Sequence, residues 1–172
     1  VYASGIIGGM DENGTFAGES SVNRAQAAAI YTRLETYAEP YIQAAALDYK
    51  RQEMLKEINL QRQNAGLSPL RLDERVCDYA QVRAQEITES FSHTRLNGEN
   101  YWTELGRMGI DYYPGGENIA AGNSTVQATM NQWMNSPGHK ANILKEGIGG
   151  VGIGYVQVEG GYQHYWVQIF VP

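Results

Sequence analysis

The sequence predicts an α+β fold: a three-layer α-β-α sandwich around a small antiparallel sheet, with a short helical appendage in front. Three observations predict it. Near the C-terminus Val151, Ile153 and Tyr155 alternate with Gly152, Gly154 and Val156, a Gly160 and Gly161 turn follows, and Tyr162 to Val171 returns, which is the pattern of a β-hairpin. Both faces of that hairpin are apolar or aromatic, with Tyr165, Val167 and Ile169 on one and Tyr162, Trp166 and Phe170 on the other. A sheet apolar on both sides needs cover on both sides. The chain before the hairpin reads as a series of helical patterns that supplies this cover.

The elements follow in order. Residues 1–38 read as an extended, glycine-punctuated piece and then a helix, because Asn23 and Gln26 have capping-box spacing and an alanine-rich run continues to Leu34. Pro40 is expected to end that helix, which divides the chain into a front segment, 1–39, and a main domain, 40–172. A second helix is expected from Tyr41 to about Asn64, with Leu47, Met54, Leu55 and Ile58 on one side and a stop at Gly66 and Pro69. A third starts near Asp73 and lays Val76, Ala80, Ala84, Ile87 and Phe91 along one face. Cys77, the single cysteine, shares that face; it excludes an internal disulfide and reads as a buried, inert thiol.

A long loop carries His93, a turn at Asn97 and Gly98, and an amphipathic piece around Trp102, Leu105 and Met108. Beyond Tyr112, Tyr113 and Pro114 lies Glu117. Ser124 and Gln127 repeat the capping-box spacing and open a helix with Val126, Met130 and Trp133 toward the core. Ser136, Pro137 and Gly138 interrupt that helix and present His139, a side chain suited to binding a ligand or moving a proton.

Charge and hydropathy remove several classes of partner. Of the 172 residues, 19 are acidic and 13 basic, for a net charge of -6, which argues against nucleic acid or an anionic membrane surface. No apolar run approaches the roughly 18 to 20 residues that span a bilayer, so a transmembrane chain is not expected. The start lacks the basic and apolar regions of a secretion signal, and such a signal is expected to lie outside the sequence.

Two resemblances stand on quoted motifs. "GIIGGMDENGTFAGESSVNRAQAAAIYTRL" resembles the second half of a surface-layer homology motif through Gly5, Ile6, Ile7, Gly9, Gly14, Phe16, Val22, Arg24, Ala25, Gln26, Ala28, Ile30 and Arg33, although Asn23 replaces its threonine. It implies attachment of a longer parent to cell-wall polysaccharide. From Tyr41 to Val171, "FSHTRLNG", "GENIAAG", "WMNSPGHKANIL", "GVGIGY" and "YWVQIF" resemble, in order and spacing, the bacterial form of the CAP superfamily, also called the SCP or pathogenesis-related-1 family. The family's fold is the sandwich inferred above from the hairpin.

That second resemblance implies a cleft carrying His93, Glu117 and His139, with Asn118, Ser136 and Tyr113 beside them. Some relatives bind zinc or another divalent cation through the two histidines, here His93 and His139. Ser136 stands where eukaryotic relatives keep a second glutamate. Two neutral imidazoles and a carboxylate suit a divalent metal at nitrogen distances of about 2 Å; alternatively, the histidines hydrogen-bond Glu117 and knit the loops together. The expected protein is an extracellular or cell-wall-associated bacterial CAP protein that takes an unidentified small or lipid-like ligand. A metal-dependent hydrolase or peptidase with Glu117 as general base is the alternative, and a structural spacer or adhesin the second.

Other patterns carry less. A serine-hydrolase trio of Ser136, His139 and Glu117 lacks nameable oxyanion donors. Gly147 to Gly152 fits a dinucleotide-binding pattern but precedes a hairpin, so close backbone packing explains the glycines better. The glycosylation pattern at Asn123 reads as a helix cap, His164 as a strand residue, and Tyr112 and Tyr113 as cleft-rim or sugar-stacking candidates.

Overall fold

A computed structural model describes residues 24–172. The glycine-led part of the surface-layer-like stretch and the Asn23 cap lie outside the described residues. Two compact units partition the chain, Val1–Asp48 and Tyr49–Pro172, and each is taken by itself.

In the first unit the described residues form the front of helix α1, Arg24–Asn64. The expected break at Pro40 does not occur, and the proline lies inside the helix. A helical proline removes one N–H, here the donor that would reach Thr36, and costs about 3 kcal/mol. Its neighbours are strong helix formers, including Ala38 and Ala44 to Ala46, and the bonds on either side continue the helix.

The second unit holds the sandwich. The back of α1 buries Met54, Ile58 and Arg62 at helical spacing. Strand β1, Arg71–Leu72, leads into helix α2, Glu74–Glu89, whose first turn is capped by Asp73 accepting from the Val76 N–H at 3.2 Å. Val76, Cys77, Ala80, Ala84 and Ile87 are buried as expected, whereas Phe91 lies past the extended cap Ser90 and is 51% exposed. The stripe therefore stops at Ile87. Helix α3, Tyr101–Arg107, follows the loop, and strand β2, Gly116–Ala121, follows α3.

Helix α4, Val126–Met134, is capped by Thr125, which accepts from the Ala128 N–H at 3.2 Å, one residue later than the spacing of Ser124 and Gln127 predicts. Asn123 is not the cap; its carbonyl accepts from Trp166 Nε1 at 2.7 Å. Ser136 then opens a new helix, α5, Pro137–Ile143, with the proline in its first turn. A proline there gives up an N–H that had no helical partner anyway. It starts a helix here as well as ending one.

Strands β3, Gly150–Gln157, and β4, His164–Val171, form the expected hairpin. The sheet order is β1-β3-β4-β2. The expected small antiparallel sheet is present and carries one parallel strand at its edge: β4 pairs antiparallel with both β3 and β2, while the two-residue β1 pairs with β3 in parallel. The register puts Gly152, Ile169 and Glu117 in one row, and Gly154, Val167 and Ile119 in the next. This face meets α2: a Cβ on Gly154 would run into the Ala80 carbonyl, and one on Gly152 into the backbone of Val76. These glycines serve close packing, as expected, and Val76, Ala80, Ala84, Ile87, Ile119, Val167 and Ile169 form one core cluster. Cys77 is buried in the same region, its Sγ accepting from the Ile153 N–H at 3.4 Å, and burial pushes the thiol up from its ordinary value.

The opposite face carries Ile153, Gln168 and Asn118 in one row and Tyr155, Trp166 and Ala120 in the next. Trp133 of α4 closes over it, donating from Nε1 to the Ile119 carbonyl at 3.3 Å. Arg51 and Arg62 of α1 reach the Ile153 and Ile143 carbonyls at 2.9 and 2.8 Å.

Candidate functional site

Strand β2 is the edge of the sheet, and its second and third residues point to opposite faces. Glu117 faces α2 and Asn118 faces α5. The candidate site is assembled at this edge, where groups from the two helical layers meet.

On the α2 side Glu117 is 4% exposed, a burial that a carboxylate tolerates only when fully bonded. Arg83, fully buried, donates from Nε to Oε1 at 2.8 Å and from Nη2 to Oε2 at 3.4 Å. His93 Nδ1 meets Oε2 at 2.7 Å. A carboxylate facing a guanidinium only accepts, so Nδ1 carries the proton and, in the neutral ring, Nε2 keeps the lone pair. The His93 side chain is 55% exposed, which leaves that lone pair available to a ligand.

Arg83 does more than hold Glu117. Its Nη2 also donates to the Ser92 carbonyl at 2.7 Å and its Nη1 to Glu86 Oε2 at 2.5 Å. Glu86 in turn binds Arg95, Nη2 to Oε1 at 2.7 Å, and Arg95 Nη1 reaches Glu104 at 3.0 Å. The loop carrying His93 is thus pinned one residue before it and two residues after it. Burial favours the neutral form of Glu86, but Arg95 and Arg83 outweigh it and hold the carboxyl below its usual range. Burial likewise opposes the charge on Arg83, and Glu117 and Glu86 prevail, raising it.

On the α5 side the bonds are neutral. Asn118, fully buried, donates to the His139 carbonyl and to Gln168 Oε1, both at 3.1 Å. Asn142 donates to Asn118 Oδ1 at 2.9 Å and to the Glu117 carbonyl at 3.3 Å. Gly116 makes room for this contact, since a Cβ there would strike the Asn142 side chain. His139 therefore sits in the first turn of α5 with its backbone tied to β2. Its Nδ1 is buried and has no hydrogen-bond partner among the described residues. Burial first, and then the charge that His93 carries when protonated, push His139 below the ordinary histidine value.

The structure thus brings His93, Glu117 and His139 to one edge. Asn118 is a bracket behind them rather than a cleft wall. Ser136 is the N-cap of α5 and makes no capping bond with its side chain. Tyr113 is 79% exposed, and no described contact joins its ring to the three. Tyr112 stacks on Trp102 at 6.3 Å between centroids. Burial and then the charge of Glu117 push the Tyr101 phenol up to about 12. His164 is a strand residue as expected, its Nδ1 2.8 Å from the Tyr155 hydroxyl.

The residues missed from sequence are Arg83, Asn142 and Gln168. Each carried a signal: Arg83 is a charge on an otherwise apolar helical stripe, Gln168 an amide in an apolar strand, and Asn142 lies one helical turn after His139.

A helical layer on each face of a small mixed sheet, with two histidines and a buried glutamate at its edge strand, defines a CAP-type α+β domain. The profile of the Cysteine-rich secretory protein family, CAP, matches residues 55–170, and the chain belongs to that family. It is 32% identical over 157 residues to the uncharacterized protein YkwD of Bacillus subtilis, a match covering 90% of this chain and 58% of YkwD. An extracellular SCP-domain protein of Bacillus anthracis superposes with a TM-score of 0.64 at 28% identity, over 73% of this chain and 41% of that one. An outer surface protein of Borrelia burgdorferi shares the fold, with a TM-score of 0.63 at 20% identity over 72% of this chain and 92% of its own. The chain spans little more than half the length of YkwD, and no helix among the described residues is long and apolar enough to cross a membrane.

Proposed function

We propose that this CAP domain is an extracellular ligand-binding module of the bacterial cell envelope whose ligand is held between His93 and His139. The observation that carries the reading is the 2.7 Å contact of His93 Nδ1 with a buried, Arg83-bound Glu117. It leaves His93 Nε2 as an outward acceptor. On His139 the proton is placed on Nε2: the buried Nδ1 lacks a partner in either form, and an orphaned N–H is rarer in folded proteins than an orphaned acceptor. The pair then offers one acceptor and one donor, which suits a hydroxyl or amide, groups that wall sugars and peptides carry and that polar heads of lipid-like ligands share. Location outside the cell rests on the extracellular and outer-surface proteins of like fold. Attachment to wall polysaccharide rests on the surface-layer-like segment and belongs to a longer parent.

Zinc or another divalent cation is the second reading, favoured by the same contact: histidines that bind metals commonly donate their other N–H to a carboxylate. His93 Nε2 fits that role. His139 would have to move its proton to the buried Nδ1, and Glu117 has both oxygens engaged, so the metal would need further ligands from water or substrate. The same engagement speaks against Glu117 as the general base of a hydrolase; His93 would have to take that part. A spacer or adhesin would need neither imidazole.

Binding of soluble wall fragments and of zinc to the dialysed protein, each followed by calorimetry, tests these readings. Fragment binding lost in both His93→Ala and His139→Ala supports the ligand site. Zinc binding lost in His93→Ala supports the metal. With neither ligand bound, both readings fail.

A further inference from the structure

We infer that Arg83 is the positioning residue of this site: its guanidinium fixes both the place of His93 and which ring nitrogen of His93 carries the proton. The inference rests on the proposed site and deepens it. Arg83 is fully buried and every one of its side-chain nitrogens is committed, Nε to Glu117, Nη1 to Glu86, and Nη2 to the Ser92 carbonyl and Glu117. One planar group therefore ties together the carboxylate that bonds the His93 ring and the backbone one residue before that ring.

Direction of bonding follows from donor arithmetic. A guanidinium has no acceptor, so any group at position 117 must turn an oxygen toward Arg83 Nε. Glu117 has two oxygens, and the second receives the proton of His93 Nδ1. The loop is closed on its other side by Glu86, which joins Arg83 to Arg95. Lysine cannot replace this fork, because an ammonium reaches from a single point and cannot serve the carboxylate, Glu86 and the Ser92 carbonyl together.

Ring-nitrogen correlation spectra at about pH 8, where free histidine is neutral, read the tautomer directly and need no ligand. In Glu117→Gln, Arg83 forces the amide oxygen toward its own Nε and the NH₂ toward His93, so His93 switches from the Nδ1–H to the Nε2–H tautomer. Retention of Nδ1–H in a folded Glu117→Gln protein overturns the inference, because the substituted amide would then be turned by His93 and not by Arg83. In Arg83→Lys the single tautomer is replaced by a mixture and the His93 ring signals broaden; an unchanged spectrum contradicts the role of the fork. Should Arg83→Lys not fold, the Glu117→Gln spectrum alone decides. Failure to bind wall fragments or zinc with the tautomer switch intact would sink the proposed ligand and leave the positioning role standing.

Discussion

The two histidines at the sheet edge are held by opposite kinds of chemistry. His93 lies on a loop fixed by buried and half-buried ions, a chain running from Glu117 through Arg83, Glu86 and Arg95 to Glu104. His139 lies on a helix fixed by neutral amides, Asn118 and Asn142. The ionic side gives direction, because donors and acceptors cannot exchange roles along it, and exposes the ring it positions. The amide side gives placement of the backbone and leaves the ring half-buried. The difference teaches how an edge strand with two differently facing neighbours can organise one site from two layers.

Breaking the ionic side is the largest expected effect. Arg83→Met leaves a buried carboxylate with only His93 beside it and should lower stability by about 3–5 kcal/mol, read as the midpoint of urea unfolding. Asn118→Ala, on the amide side, strands the His139 carbonyl and Gln168 and should cost about 1–3 kcal/mol. An Asn118→Ala loss as large as that of Arg83→Met would erase the distinction.

Acidification sharpens the comparison further. His139 is depressed below its ordinary value, so it favours the folded state above the unfolded histidine range and loses that contribution as pH falls through its folded value. Glu86 is also depressed, and its contribution disappears at lower pH, below the ordinary carboxylate range. Stability measured by urea unfolding should therefore decline in two stages between neutral and acid pH. His139→Gln should flatten the upper stage and Glu86→Gln the lower. A single stage untouched by His139→Gln would contradict the half-buried neutral ring.

The smallest effect is expected at the far end of the charge chain. Arg107 meets Glu104, where the chain ends, at 3.1 Å and pairs with Glu99 at 2.5 Å on the surface, where ion pairs contribute little. Arg107→Ala should leave both the unfolding midpoint and the His93 spectrum unchanged, and a shifted spectrum would mean that the whole chain acts as one unit.

Much of the fold was legible because its chemistry is periodic. The hairpin showed itself through period-two alternation, and α2 through a stripe from Val76 to Ile87 bounded by Asp73. Strand β2 was hidden for a physical reason: Gly116 to Ala120 are buried on both faces, so no alternation betrays them, and β1 is two residues long. Pro40 misled because the helix formers around it override one missing bond. The meeting of His93 with Glu117 came from the family resemblance, since nothing periodic joins residues 24 apart. Arg83 was missed because a stripe read for apolar residues passes over a charge, although a charge on such a stripe is itself a sign that a buried partner exists.

The ligand-free tautomers of the two histidines test the central claim most directly. Ring-nitrogen spectra of the unmodified protein at about pH 8 should show His93 protonated on Nδ1 and His139 on Nε2, one acceptor and one donor facing the ligand. His93 protonated on Nε2 would contradict the account, because Glu117 would then not be its acceptor and the site would have lost the group that orients it.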